Sequence, residues 1–174
     1  MVLIGMMGAG KTAVGTALAR LLGVPFLDSD EEIVRAAQMS VAEIFARDGE
    51  PFFRARETEV LARLLNGPPC ILSTGGGAFL ADQNRRAISQ FGVAVWLRAD
   101  LDLLWQRVRH KATRPLLRTP DPKGTLAALL AARAPVYGLA DVVVAARPDY
   151  SIEQMAEQVI AALRAHGDIV EQGR

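Results

Sequence analysis

The tightest constraint on this chain lies in its first dozen residues. The apolar run Val2–Ile4 feeds straight into Gly-Met-Met-Gly-Ala-Gly-Lys-Thr, Gly5 to Thr12, and an amphipathic stretch follows. That spacing, G-x-x-x-x-G-K-[ST] between a strand and a helix, is a phosphate-binding loop. Gly8 and Gly10 let the backbone curl so that successive N–H groups around Ala9 point inward as an anion nest, and the positive end of the following helix adds to the attraction. Lys11 is placed to reach the β- and γ-phosphates of a nucleoside triphosphate, and the Thr12 hydroxyl to ligate Mg²⁺.

The rest of the chain continues the strand–helix alternation. Short apolar runs at Val2–Ile4, Pro25–Leu27, Cys70–Ser73, Val93–Leu97 and Asp141–Ala145 read as strands buried on both faces. Helical patterns lie between them, at about Lys11–Leu22, Asp30–Ala37, Val41–Arg47, Pro51–Asn66, Gln83–Phe91, Asp100–Arg109, Lys123–Arg133 and Ile152–His166. Ser40–Glu43 reads as a capping box, and Asp100 and Ser151 as helix starts. The alternation implies an α/β fold: a five-stranded parallel sheet with right-handed crossovers, flanked by helices. Residues 1–166 read as one domain and 167–174 as a disordered tail.

Composition narrows the function. With 174 residues, 51% of them apolar, the chain suits a single compact domain. Twenty Lys and Arg balance nineteen Asp and Glu, so overall charge supports neither nucleic-acid nor membrane-surface binding. A single cysteine, Cys70 in an apolar run, forms no internal disulfide and reads as a core residue, in keeping with a reducing cytoplasm. No apolar stretch is long enough to span a bilayer, and Met1–Gly5 lacks the basic flank and length of a signal peptide.

Ligands of such sheets gather beyond the C-terminal ends of the strands, so the acceptor of the phosphate is sought there. After the second strand come Asp28 and Asp30, two apart; in an extended link both carboxylates aim into the cleft, one for hydrated Mg²⁺ and one for an incoming hydroxyl. Ser29 with Glu32 could equally form a capping box that merely starts a helix. After the third strand, Gly75, Gly76 and Gly77 leave backbone amides bare for close approach of a small polar ligand. On a helix, Arg54 and Glu57 share a face, and the guanidinium beside Phe45 and Phe53 suits a ligand with a carboxylate and an apolar ring; a surface ion pair and two core aromatics are the plainer alternatives. Arg133 offers a second carboxylate-binding guanidinium. The basic run Arg107–Pro120 reads as a solvated loop, a nucleic-acid patch or, favoured beside a phosphate loop, a lid whose Arg114 closes over the γ-phosphate.

Together, GMMGAGKTAVG, FLDSD, SVAEIFARDGEPFFRARE, STGGGAF, TRPLL and RAPVYGLAD resemble shikimate kinase in order and spacing across nearly the whole chain. The resemblance implies a P-loop NTPase of nucleoside-monophosphate-kinase-like fold, with a substrate-binding helical region at about 30–62 and a lid at about 108–122. It implies transfer of the γ-phosphate of ATP to the 3-hydroxyl of shikimate, in chorismate and aromatic amino-acid biosynthesis, by a cytoplasmic monomer. On this resemblance Lys11, Asp30 and Arg114 are catalytic. Gly8, Ala9, Gly10, Lys11, Thr12, Arg107 and Arg114 take ATP, Arg107 lying beside the adenine. Asp30, Arg54, Gly75, Gly76, Gly77 and Arg133 take shikimate, with Glu57 orienting Arg54, while Thr12 and Asp28 serve Mg²⁺. The resemblance implies that Ala145–Ile152, which carries Pro148 and Asp149, lies near the adenine. Its four residues before Gly5 are a short start, as in a trimmed chain or a reading frame begun late. Two rivals remain: a kinase for another acceptor such as gluconate or a nucleoside monophosphate, and a non-catalytic nucleotide switch or nucleic-acid-binding module.

Overall fold

A computed structural model describes residues 1–110 and 117–167. Five strands, β1 (Val2–Ile4), β2 (Phe26–Asp28), β3 (Ile71–Ser73), β4 (Ala94–Arg98) and β5 (Val142–Ala145), form one sheet in the order β2-β3-β1-β4-β5. Every pairing is parallel. Helices α1 (Lys11–Leu22), α2 (Ser29–Ala37), α3 (Val41–Leu65), α4 (Asp82–Phe91), α5 (Leu101–Val108), α6 (Pro122–Tyr137) and α7 (Ile152–His166) flank it, and a 3₁₀ turn spans Ala78–Leu80. Among the described residues, no helix is long and apolar enough to cross a membrane.

The central strand explains the order. Val2, Leu3 and Ile4 are fully buried because β1 has strands on both sides and helices over both faces. The edge strands depart from the uniform burial read in the sequence. β5 alternates buried and exposed residues, leaving Val143 42% exposed, and β2 is half-buried throughout. An edge strand lacks one neighbour, so part of its face meets water.

Helix starts follow local chemistry. Ser40 and Glu43 complete a capping box at α3, and Ser151 with Gln154 does so at α7. Asp100 caps α5 and Asp121 caps α6, whose first residue is Pro122. α3 is two helices meeting at Gly49, whose φ of 81° and ψ of 171° break the spiral just ahead of Pro51, where the sequence reading separates them. α6 runs one turn past the expected end at Arg133, through Pro135 to Tyr137. Pro135 cannot donate to the carbonyl of Ala131, but both residues face solvent, which satisfies that carbonyl.

Two apolar clusters result. The larger lies along the sheet and includes Leu3, Leu18, Leu97, Leu104 and Tyr137. The smaller joins Ile33 of α2 to Ile44 and Phe53 of α3. Arg54 is carried by the smaller cluster's helix, and Arg133 by a helix packed on the larger.

Candidate active site

A cavity of about 600 Å³ opens at the C-terminal ends of the strands, lined at one end by Gly8 to Thr12 and at the other by Asp30, Arg54, Glu57, Gly75–Gly77 and Arg133. The phosphate loop is strained into shape as its glycines suggest. Gly8 has φ +83° and Gly10 has φ +96°, in the left-handed region that side chains disfavour. A Cβ on Gly8 would lie 2.7 Å from Val108 Cγ1, so glycine is required there on two counts. α2, α3, α5, α6 and α7 each begin with a side-chain cap, whereas α4 at Ala81 and α1 at Gly10 have none, and the head of α1, Lys11 to Ala13, lines the cavity. The first N–H groups of α1 thus face the cavity as an anion site. Lys11 Nζ donates to the loop's own carbonyls, Gly5 at 2.8 Å and Met6 at 3.2 Å. Arg107, expected beside the adenine, lines the cavity and donates through Nη1 to the carbonyls of Gly8 (3.2 Å) and Ala9 (3.3 Å).

Asp28 and Asp30 both line the cavity, although not as an extended pair. Asp28 ends β2 and is itself the cap of α2, its Oδ1 accepting from Asp30 N at 2.9 Å and Glu31 N at 3.4 Å. Asp30 therefore sits in the first helical turn. The alternative cap is not formed: Ser29 is fully buried, and Glu32 pairs with Arg35 and with Arg63. The strand ends one residue earlier than Ser29 needs, so Asp28 holds the capping position first.

The three glycines after β3 line the cavity and also make room within it. A Cβ on Gly75 would lie 2.9 Å from Asp30 Oδ1, one on Gly76 3.0 Å from Arg133 Nη1, and one on Gly77 2.5 Å from Arg54 Nη2. Each glycine leaves room for one polar side chain arriving from another element. Asp30, Arg54 and Arg133 therefore converge on three successive residues.

Arg54 is held from both sides. Nη1 donates to Glu57 Oε2 at 2.7 Å, Nε reaches Glu50 at 3.3 Å, and Cζ lies 5.2 Å from the centre of the Phe53 ring. Phe53 lines the cavity, whereas Phe45 packs behind it, ring centres 4.8 Å apart. Glu57 is 1% exposed, and its Oε1 has no hydrogen-bond partner among the described residues. Burial pushes its carboxyl above the usual range, against the pull of Arg54. Burial acts against the charge of Arg54, but the bonds and charges of Glu57 and Glu50 outweigh it and raise the guanidinium's pKa.

Arg114 lies outside the described residues. The sequence reading missed the hydroxyl of Tyr137, which reaches Gly76; Ala146, Tyr150 and Ile152, within the stretch expected near the adenine, line the cavity, with Met155 beyond it.

Known proteins match this arrangement. The shikimate kinase family model matches residues 7–164. The chain belongs to the shikimate kinase family. The family's member in Cereibacter sphaeroides is 67% identical over 170 residues, which cover 98% of this chain and 85% of that one. In Ruegeria pomeroyi the shikimate kinase is 66% identical, with 98% and 87% covered. The solved structure of Acinetobacter baumannii shikimate kinase in complex with shikimate superposes with a TM-score of 0.88 at 38% identity, covering 94% of this chain and 92% of that one. Shikimate kinases are ATP-dependent phosphotransferases, and the fold of this chain is that of the family.

Proposed function

We propose that this chain transfers the γ-phosphate of ATP to the 3-hydroxyl of shikimate, giving 3-phosphoshikimate and ADP. The observation that carries this is the convergence of one carboxylate and two guanidiniums, Asp30, Arg54 and Arg133, on Gly75–Gly77 within the cavity that holds the phosphate loop. A hydroxylated acid fits that set: its carboxylate between the two arginines, its hydroxyls toward Asp30.

The roles follow from position. The backbone amides around Ala9 and Gly10, with Lys11, take the phosphates of ATP and offset the charge that spreads in the loose transition state. Asp30 orients the attacking hydroxyl and accepts its proton as the new P–O bond forms. Arg54, braced by Glu57, and Arg133 fix the acid end, so the reacting oxygen is delivered in line rather than by chance encounter. On the sequence pattern alone, Arg114 belongs to a lid at about 108–122 and closes over the γ-phosphate. The region at about 30–62 binds the acceptor, within one domain spanning 1–166 and followed by a tail at 167–174.

The donor set suits Mg²⁺. No group of three His, Cys, Asp or Glu that could hold a metal occurs among the described residues. An ion here would therefore draw on phosphate oxygens and water, as Mg²⁺ does, with few protein ligands. Thr12 supplies a hydroxyl at the head of α1. Asp28 has both its backbone bonds on Oδ1, so Oδ2 keeps its capacity for the hydrated ion. Thr12 and Asp28 would hold the hydrated Mg²⁺, which would supply positive charge against the triphosphate. The protein is further proposed to act as a cytoplasmic monomer, with ATP and shikimate as its partners.

An ATP-coupled assay across an acceptor panel tests this. ADP release should require shikimate and fall steeply with the analogue whose carboxylate is reduced to an alcohol. Equal turnover of the two, or a preference for gluconate or a nucleoside monophosphate, would overturn the reading.

A further inference from the structure

Tyr137 is fully buried in the main core, yet its hydroxyl is spent on a polar target 61 residues away. It donates to the carbonyl of Gly76 at 2.5 Å, and the sulfur of Met6, inside the phosphate loop, lies 3.7 Å from the Tyr137 hydroxyl oxygen. Tyr137 stands four residues after Arg133 on α6, so the two share a helix face. The Arg133 guanidinium lies close enough to draw the hydroxyl's pKa down, and both groups crowd the space over Gly76, where a Cβ would meet Arg133 Nη1 at 3.0 Å and the Tyr137 oxygen at 3.4 Å. The ring itself packs 5.8 Å from that of Trp96, a contact that phenylalanine would keep.

We propose that Tyr137 is a positioning residue: its hydroxyl ties the Gly76 turn and the phosphate loop to Arg133, and so sets the pose of the guanidinium that grips the acceptor's carboxylate. The bond to Gly76 needs a proton on the phenol, and burial raises that hydroxyl's pKa against the pull of Arg133, so it remains a donor at neutral pH. Gly76 is only half-buried, so its carbonyl is reachable by water once the hydroxyl is gone. Loss of the bond should loosen the turn rather than unfold the chain.

This inference rests on the cavity being a shikimate site. The test is Tyr137→Phe, compared with the parent protein by steady-state kinetics against shikimate, against its carboxylate-reduced analogue and against ATP. One hydrogen bond to a positioned group is worth roughly a fivefold change. KM for shikimate should rise about fivefold, with kcat and KM for ATP within about twofold, and the analogue should show no further penalty because it has no carboxylate for Arg133 to hold. Gly76→Ala, which presses on the same guanidinium from the turn, should give the same split. Tyr137→Phe that unfolds, that raises both KM values alike, or that penalises shikimate and the analogue equally makes the hydroxyl merely structural and overturns the proposal; so does Gly76→Ala with an unchanged KM for shikimate. A parent protein without activity on shikimate would instead overturn the function itself, before the variants are compared.

Discussion

Alanine at Gly77 would put a methyl carbon 2.5 Å from Arg54 Nη2, 2.6 Å from Nη1 and 2.7 Å from Cζ. Nothing in the backbone resists the change, since Gly77 has φ −96° and ψ −17°, open to any residue. The obstacle is the far end of a side chain, which can move. To regain an ordinary 3.4 Å contact the guanidinium must shift by about 0.9 Å, away from the turn and against its brace on Glu57. Stability should change little, because the smaller backbone entropy of the unfolded chain offsets the displacement to within about 1 kcal/mol. Binding should suffer far more: a misplacement near 1 Å costs up to about 100-fold, and losing one charge-assisted hydrogen bond about 10-fold or more. KM for shikimate should therefore rise between about 10- and 100-fold, with KM for ATP unmoved and melting within a few degrees. Coupled-assay kinetics beside a thermal melt give all three numbers. Gly77→Ala with parental KM for shikimate would mean that Arg54 does not hold the acceptor.

Lys11→Ala should lower kcat about 100- to 1,000-fold with the melting temperature preserved, since the ammonium acts on developing phosphate charge; stopped-assay turnover near the parental rate refutes that role. Gly8→Ala combines a left-handed φ of +83° with a Cβ 2.7 Å from Val108, and should cost about 2–4 kcal/mol in denaturant titrations; a neutral result would show that the loop rearranges. Glu57 gives a pH signature. Its folded carboxyl titrates above the ordinary 4.5, so it holds its proton more tightly folded than unfolded. It thus adds stability below pH 4.5 and loses that contribution as pH rises through its folded value. Glu57→Gln abolishes this titration, so the variant's melting temperature relative to the parent should climb from pH 4.5 toward neutrality, and a falling difference contradicts the sign.

The phosphate loop was legible because its determinants are local: Gly8, Gly10, Lys11 and Thr12 act through their own backbone and their immediate neighbours. The fold class followed for the same reason, as short apolar runs and caps such as Ser40 and Asp100 each report their own element. The candidate acceptor residues Asp30, Arg54 and Arg133 came together as one set only through the family resemblance, since nothing in one dimension says that each meets a different glycine. Competition between neighbours was also hidden. Asp28 and Ser29 are both good caps, and the end of β2, set by pairing with Ser73, decides between them. The helix expected to end at Arg133 continues to Tyr137 because Pro135 faces water, which satisfies the carbonyl its ring leaves without a donor. Tyr137 reads as one more core aromatic, for its hydroxyl's target lies on another strand's turn.

The small cluster of Ile33, Ile44 and Phe53 has a consequence for how ligands and flexibility are linked. Arg54 rides on that cluster's helix, while Arg133 belongs to the body built on the sheet. An acid clamped by both stitches two separately packed blocks together. Shikimate should therefore slow amide exchange across α2 and the first half of α3 more than it slows exchange in β1, where the sheet already protects the backbone.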